Sequence, residues 1–239
     1  MSGNMSEIMT VNHKEYQILK LLGKGKGGYS YLATDGEQKY VLKQIHHEPC
    51  DYYQFGNKIE AELNDYKRLK EIGIRMPSML DVDLDEERIL KEYIEGDTIF
   101  ELVLHDKMEP RYLEQMRDMC TLLYPANTNI DYFSTNFVVQ NGEIYYIDFE
   151  CNNYMDEWNF ENWGIKYWSK TPEFLKYVEE HADVAKEYEK LKLSIWKEYE
   201  HNRDGYTDAK ADFVAECMKL AKMQYKDGYS YESHSVDFN

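Results

Sequence analysis

The sequence predicts an α+β fold, and three observations carry that prediction: a β-rich pair of segments around Asp35-Gly36, a second pair around Asn141-Gly142, and helical periodicity between them and in the last third. In the first pair, Tyr29 to Ala33 and Tyr40 to Lys43 flank the turn and read as antiparallel strands. A helix follows over Asn57 to Ile72, where Ile59, Leu63, Tyr66, Leu69 and Ile72 recur at helical spacing. In the second pair, Phe137 to Gln140 and Glu143 to Ile147 enclose Asn141-Gly142, the strongest short-range signal for a two-residue type I′ turn. Pairing around that turn sets Gln140 opposite Glu143 and brings Asn136 beside Ile147 and Asp148 at the open end. Thr171-Pro172 supplies an N-cap and a helix-starting proline, with Phe174, Val178, Tyr188, Leu191, Ile195 and Tyr199 as an apolar stripe. Thr207 starts a further helix with Phe213, Val214, Cys217, Leu220 and Ala221 inward, and the chain from Asp227 onward is polar. A coiled coil is the rival reading of these two helices, but neither stripe persists long enough to prefer it.

These elements place chemically useful groups together. Gly23, Gly25 and Gly28 form G-x-G-x-x-G, and a glycine loop lets backbone amides approach phosphates without Cβ clashes. A dinucleotide-binding loop should open into a helix, whereas this one opens into Tyr29 to Ala33, so the strand-loop-strand reading prevails. The hairpin returns Lys43 beneath the glycines, where an ammonium can meet the α and β phosphates. Glu62 shares the apolar face of its helix, and a buried carboxylate needs a partner; Lys43 is the natural one, and a rim charge is the other reading. Asn136 and Asp148 offer oxygen donors of the kind Mg²⁺ takes, with phosphate oxygens completing the shell. Asp131 begins the turn into the hairpin, placed to accept a proton from an attacking hydroxyl. On the hairpin alone, three solvated loop residues would be an equal reading.

The ordered set Gly23, Gly25, Gly28, Lys43, Glu62, Asp131, Asn136 and Asp148 resembles the protein-kinase-like superfamily across most of the chain. The resemblance implies a two-lobed fold: residues 1–95 as a small antiparallel-sheet lobe with a hinge at 91–96, and residues 96–239 as a mainly helical lobe with the catalytic hairpin at 129–150. It implies ATP and Mg²⁺, adenine held by backbone groups of Glu92 and Ile94, Lys43 on the phosphates, Asn136 and Asp148 on the metal, and Asp131 at the acceptor. Several positions depart from ordinary Ser/Thr kinases: Phe133 stands where a lysine touches the transferred phosphate, Asn129 replaces the usual histidine, Ser30 replaces a valine, and no A-P-E triplet follows. The run from Asp131 to Val139 with Glu143 to Phe149, and "EIGIRMP" followed by Glu92-Tyr93-Ile94-Glu95-Gly96, are similar to the small atypical kinases of the Bud32 and RIO type. Asp148-Phe149-Glu150 resembles choline and ethanolamine kinases, and Trp158-Asn159-Phe160-Glu161-Asn162-Trp163 resembles the F-D-I-x-N helix of those enzymes and of aminoglycoside phosphotransferases. The expected activity is transfer of the γ-phosphate to a hydroxyl acceptor, a protein Ser/Thr or a small amine-bearing alcohol; an ATP-binding pseudokinase is the non-enzymatic alternative.

Charge and cysteine usage bound the partners. A net charge of -17 disfavours nucleic acid, which needs a basic surface, and suits a cationic acceptor. Cys50, Cys120, Cys151 and Cys217 are scattered without metal-like pairs, and no apolar run is long enough to span a bilayer, so a cytoplasmic protein is expected. Cys151 reads as a packed thiol rather than a redox centre, and the Tyr52-Tyr53 and Tyr145-Tyr146 pairs read as core or lobe-interface residues.

Overall fold

The computed structural model describes residues 7–25, 27–47 and 57–181. The helix expected from Thr207, the stripe positions Tyr188, Leu191, Ile195 and Tyr199, the chain after Asp227, Tyr52-Tyr53, and Cys50 and Cys217 lie outside the described residues.

The first half is a curled antiparallel sheet. Its strands are β1 (Ile8–Val11), β2 (Lys14–Lys24), β3 (Gly28–Thr34), β4 (Lys39–Ile45), β5 (Met79–Asp83) and β6 (Arg88–Glu92), in the order β1-β2-β3-β4-β6-β5. β3 and β4 turn at Gly36 (φ 96°), and Ser30 and Ile89 flank Lys43 on the neighbouring strands. Val11, Tyr16, Ala33, Leu42 and Leu90 form one core cluster of this sheet. Between β4 and β5 runs α1 (Lys58–Ile72). Asn57 caps it by accepting the Glu60 amide at 3.2 Å, and Gly73 ends it in the left-handed conformation (φ 93°), the backbone that favours glycine. Its inward face lays Ile59 and Leu63 against Ile45 and Ile89.

The second half carries the helices α2 (Ile99–Leu104) and α3 (Pro110–Leu123), then β7 (Thr128–Ile130), the hairpin β8 (Phe137–Gln140) and β9 (Glu143–Tyr146), and β10 (Cys151–Asn153), which pairs with β7. Thr98 and Glu101 close a capping box on α2. The hairpin register is the one the turn demands: Gln140 faces Glu143 and Phe137 faces Tyr146, with Asn141 (φ 53°) and Gly142 (φ 81°) both left-handed. Tyr132, Phe137, Phe160 and Trp168 fill its core, and the Trp168 indole donates to the Tyr132 carbonyl at 2.8 Å. Helical backbone resumes at 172, with the Thr171 hydroxyl accepting the Phe174 amide at 3.1 Å. Residues through Leu175 form one compact unit, and Lys176 begins a second.

One expected helix is absent. The Trp158–Trp163 segment forms 3-10 turns at Asp156–Trp158 and Gly164–Tyr167 joined by non-helical turns. Asn159 starts a turn as an N-cap would, its Oδ1 accepting the Asn162 amide at 2.8 Å and its carbonyl accepting the Trp163 amide at 3.0 Å, but the next amides, Gly164 and Ile165, reach back five residues to the Asn159 and Phe160 carbonyls at 3.3 and 2.7 Å, so the α-helical ladder is not continued.

Candidate active site

The glycine segment is a strand-loop-strand turn, closed by a Gly25 amide to Gly28 carbonyl bond of 2.9 Å. Its glycines are not equivalent. A Cβ on Gly28 would stand 2.4 Å from the Gln44 carbonyl oxygen, so close packing against β4 requires glycine there, whereas among the described residues Gly23 has nothing within 4 Å and Gly25 has only the Gly28 carbonyl at 3.9 Å. Gly27, outside the G-x-G-x-x-G positions, is the glycine nearest the charge: its Cβ would lie 3.9 Å from Lys43 Nζ.

Lys43 Nζ and Glu62 Oε2 are 2.6 Å apart, with both side chains largely buried. Burial alone would drive the Lys43 ammonium towards neutrality, but Glu62 and then Asp148 outweigh it and raise the pKa above the ordinary lysine value. The other oxygen of that carboxylate, Oε1, is buried without a hydrogen-bond partner among the described residues. The rim-charge reading of Glu62 is therefore replaced by the ion pair. α1 is fixed in this register at two further points. Asp65 accepts from the Cys151 amide at 3.3 Å, and Arg68 donates to the Asn127 carbonyl, Thr128 Oγ1 and Asn153 Oδ1 at 2.9, 2.8 and 3.3 Å. Burial, reinforced by Asp65, pushes the Cys151 thiol up to about 12, which makes it a packed, unreactive group.

Asp131, Asn136 and Asp148 meet at the open end of the hairpin. The Ile147 amide donates to the Asn136 carbonyl at 2.9 Å, and Asn136 Nδ2 reaches the Asp131 carbonyl at 3.4 Å. Asp131 Oδ1 accepts the Phe133 amide at 3.0 Å, and Asp148 Oδ1 accepts the Phe149 amide at 2.8 Å. Two residues that the sequence reading left without a site role hold these turns. The buried Tyr146 hydroxyl accepts from the Asp131 amide at 3.3 Å and donates to the Glu150 carbonyl at 2.7 Å. Burial, with Asp148 and Asp131 adding to it, keeps that phenol protonated. Lys91, on β6, reaches the Ile147 carbonyl at 2.7 Å. Asn129 braces the loop as an uncharged amide: its Nδ2 donates to the Met155 carbonyl at 2.9 Å and its Oδ1 accepts the Tyr132 hydroxyl at 3.2 Å.

At the expected hinge, the Glu92 amide donates to the Ser78 carbonyl at 2.9 Å and its carboxylate accepts the Ser78 amide at 3.0 Å. Ile94 is buried two residues on. Gly96 lets the chain cross the hairpin closely: a Cβ there would lie 1.9 Å from the Val139 carbonyl oxygen. Among the described residues, no three His, Cys, Asp or Glu side chains are arranged to hold a metal ion. Asn136 and Asp148 fit a metal that arrives with phosphate oxygens of its own, and the unpartnered Glu62 Oε1 beside Lys43 marks a polar interior suited to charged ligands.

A curled antiparallel sheet bearing an ion-paired lysine, followed by a helical half whose hairpin presents Asp, Asn and Asp, is the two-lobed architecture of protein-kinase-like proteins. The KEOPS complex subunit Bud32 of Pyrococcus abyssi (strain GE5 / Orsay) is 31% identical to this chain over 152 residues, which span 58% of this chain and 69% of the relative. The chain belongs to the Bud32 family of the protein-kinase-like superfamily. The family model for GrpB protein also matches, over residues 159–220, less than half of the chain. Among the described residues, no helix is long and apolar enough to cross a membrane.

Proposed function

We propose that this chain is an atypical, ATP-dependent kinase that transfers the γ-phosphoryl group to a serine or threonine hydroxyl of a protein, acting in the cytoplasm. The observation that carries the reading is the 2.6 Å Lys43–Glu62 pair, held in a buried site where Asp148 adds to the field that keeps Lys43 charged. The lobes divide at 95/96. Gly23, Gly25 and Gly28 cover the phosphates, Lys43 contacts the α and β phosphates, and the Glu92 carbonyl and Ile94 amide hold the adenine. Asn136 and Asp148 hold Mg²⁺, which supplies charge neutralisation on the phosphates when bound.

The chemistry asks mostly for positioning and charge. The γ-phosphoryl group passes through a loose, highly anionic transition state, and fixed cations in a water-poor site stabilise it more than water would. Asp131 orients the acceptor hydroxyl and takes its proton as the oxygen-phosphorus bond forms. The bond from phosphorus to the β–γ bridging oxygen breaks, and its electrons leave with ADP. Phe133 stands where ordinary kinases place a lysine against the transferred phosphate, so the side-chain share of that neutralisation falls to Lys43. The net charge of -17 favours a basic patch on the protein acceptor.

The test is transfer of label from γ-radiolabelled ATP with Mg²⁺, alone and with basic proteins and amine-bearing alcohols. Label should pass to protein with wild type and not with Asp131→Ala, which should still bind nucleotide, while Asp148→Ala should weaken Mg-ATP binding. Equal transfer by wild type and Asp131→Ala would refute the assignment, and transfer to a small alcohol alone would refute the protein acceptor.

A further inference from the structure

A second lysine stands behind the first, where a strand interior ordinarily holds an apolar side chain. Lys91 occupies β6 immediately before Glu92, with β4 on one side (Val41 opposite) and β5 on the other (Met79 opposite). It is 6% exposed. Burying an ammonium is costly unless it is hydrogen-bonded and its charge is met. Its Nζ donates to the Ile147 carbonyl at 2.7 Å and lies 4.4 Å from the centre of the Phe149 ring. Both contacts fall on the residues flanking Asp148. Phe149 is fully buried and rests in turn on Tyr66 of α1, with ring centres 4.7 Å apart. The charged groups facing Lys91 are Lys43, Glu62 and Asp148. Burial and then Lys43 bring its ammonium down to about 8, with Glu62 and Asp148 opposing them.

We propose that Lys91 is a positioning residue for the metal-binding turn: it clamps the Ile147 carbonyl and the Phe149 ring to the sheet, so that the Asp148 carboxylate faces the metal-bearing phosphates. This role rests on the proposed phosphotransferase reading for its purpose but not for its mechanics. An ammonium on a four-carbon stem can reach across from strand to turn, bond a carbonyl and face an aromatic ring at once; Met or Leu at position 91 would fill the space but could not donate to the carbonyl. The clamp makes β6 serve both ends of the nucleotide, its Lys91 side chain fixing the metal turn and the following backbone meeting the base.

Lys91→Met tests the clamp, with two readouts. Hydrogen exchange of the nucleotide-free protein should speed up at residues 147–151 while residues 137–140 of β8 stay protected, because only the turn is released. Titration of Mg²⁺ against a fluorescent ATP analogue should show half-saturation raised about tenfold, with metal-free nucleotide affinity held within about twofold, as expected for a group that supports a metal ligand without touching the metal. Phe149→Leu removes the ring and leaves the carbonyl bond, and should give the same local loosening at smaller amplitude if Lys91→Met does not fold. Unchanged exchange at 147–151, equal loosening of β8, or an unchanged Mg²⁺ dependence would each overturn the clamp. Loosening confined to 147–151 in a protein whose wild type binds no nucleotide would uphold the clamp and refute the kinase reading.

Discussion

Replacing Tyr146 with Phe isolates one hydroxyl that ties the Asp131 loop to the turn after Asp148. The ring is fully buried and remains in place, so the change deletes two hydrogen bonds and little packing: the 2.7 Å donation to the Glu150 carbonyl and the weaker 3.3 Å acceptance from the Asp131 amide. A net contribution of about 0.5–1.5 kcal/mol per bond, with Asp131 and Glu150 themselves exposed and able to recruit water, places the loss near 1.5 kcal/mol. For a chain of this size that corresponds to a melting temperature lower by roughly 3–6 °C. Because the phenol stays protonated, the loss should be the same at pH 6 and pH 9. Asp131 would also be held less closely, and phosphoryl transfer should fall roughly tenfold in kcat with little change in KM for ATP, since small misplacements of a reacting group are expensive. Tyr145→Phe is the control: its half-buried ring sits under the Arg75 guanidinium, and loss of its hydroxyl should shift melting by less than about 1 °C. Differential scanning calorimetry and a steady-state transfer assay decide the matter. A Tyr146→Phe protein that melts with wild type and transfers label at the same rate would refute the bridging role.

Two further perturbations probe the scaffold. Asp35 is driven below the ordinary carboxylate value of 3.8 by the Gln38 amide first, then by Lys14 and the Glu37 amide, so its contribution is present above that value and lost as pH falls through the lowered one. The gap in urea midpoint between wild type and Asp35→Ala should therefore be constant at neutral pH and narrow below about pH 4; a gap that widens in acid would show that the carboxylate is not the stabilising group. Gly96→Ala drives a Cβ to 1.9 Å from the Val139 carbonyl oxygen, a backbone atom that cannot swing aside, and should cost about 3 kcal/mol in urea denaturation. Gly25→Ala, whose nearest atom among the described residues is 3.9 Å away, should cost far less; equal losses would place the tight crossing elsewhere.

The parts of the site set by short-range rules were readable from the chain. Asn141-Gly142 dictates a turn, the turn dictates the register, and the register carries Asn136 to Ile147. The stripe of α1 turned Glu62 inward, and a buried carboxylate opposite one lysine left few partners for it. Lys91 and Tyr146 were not readable in this way. A lysine in Arg88-Ile-Leu-Lys-Glu counts as surface until the sheet order shows β6 covered by strands on both sides, and alternation in Tyr145-Tyr146 says that one ring is inside without saying what its hydroxyl meets. The strand β1 escaped for a local reason: it turns back on β2 through Asn12-His13, both with positive φ, without the glycine that marks such turns. Between Trp158 and Trp163 the helical motif is present only as a capped first turn at Asn159, and the slip of the following amides to carbonyls five residues back could not be read from the chain.

The passage from sheet to hairpin is fastened at both ends. Beyond Glu95 the connecting chain is fastened to β8: the Gln140 side chain meets the Glu95 carbonyl, the Val139 amide meets the Asp97 carbonyl, and Thr98 bridges Val138. Before Tyr93 the chain is locked into β6 and braced by Ser78. Along the connecting chain, Tyr93 and Ile94 lie between these two anchorages, in the segment proposed to grip adenine. A base seated there would add a fastening to the stretch of the connection that lies between the two anchorages, so that nucleotide binding would complete the bracing of sheet against hairpin.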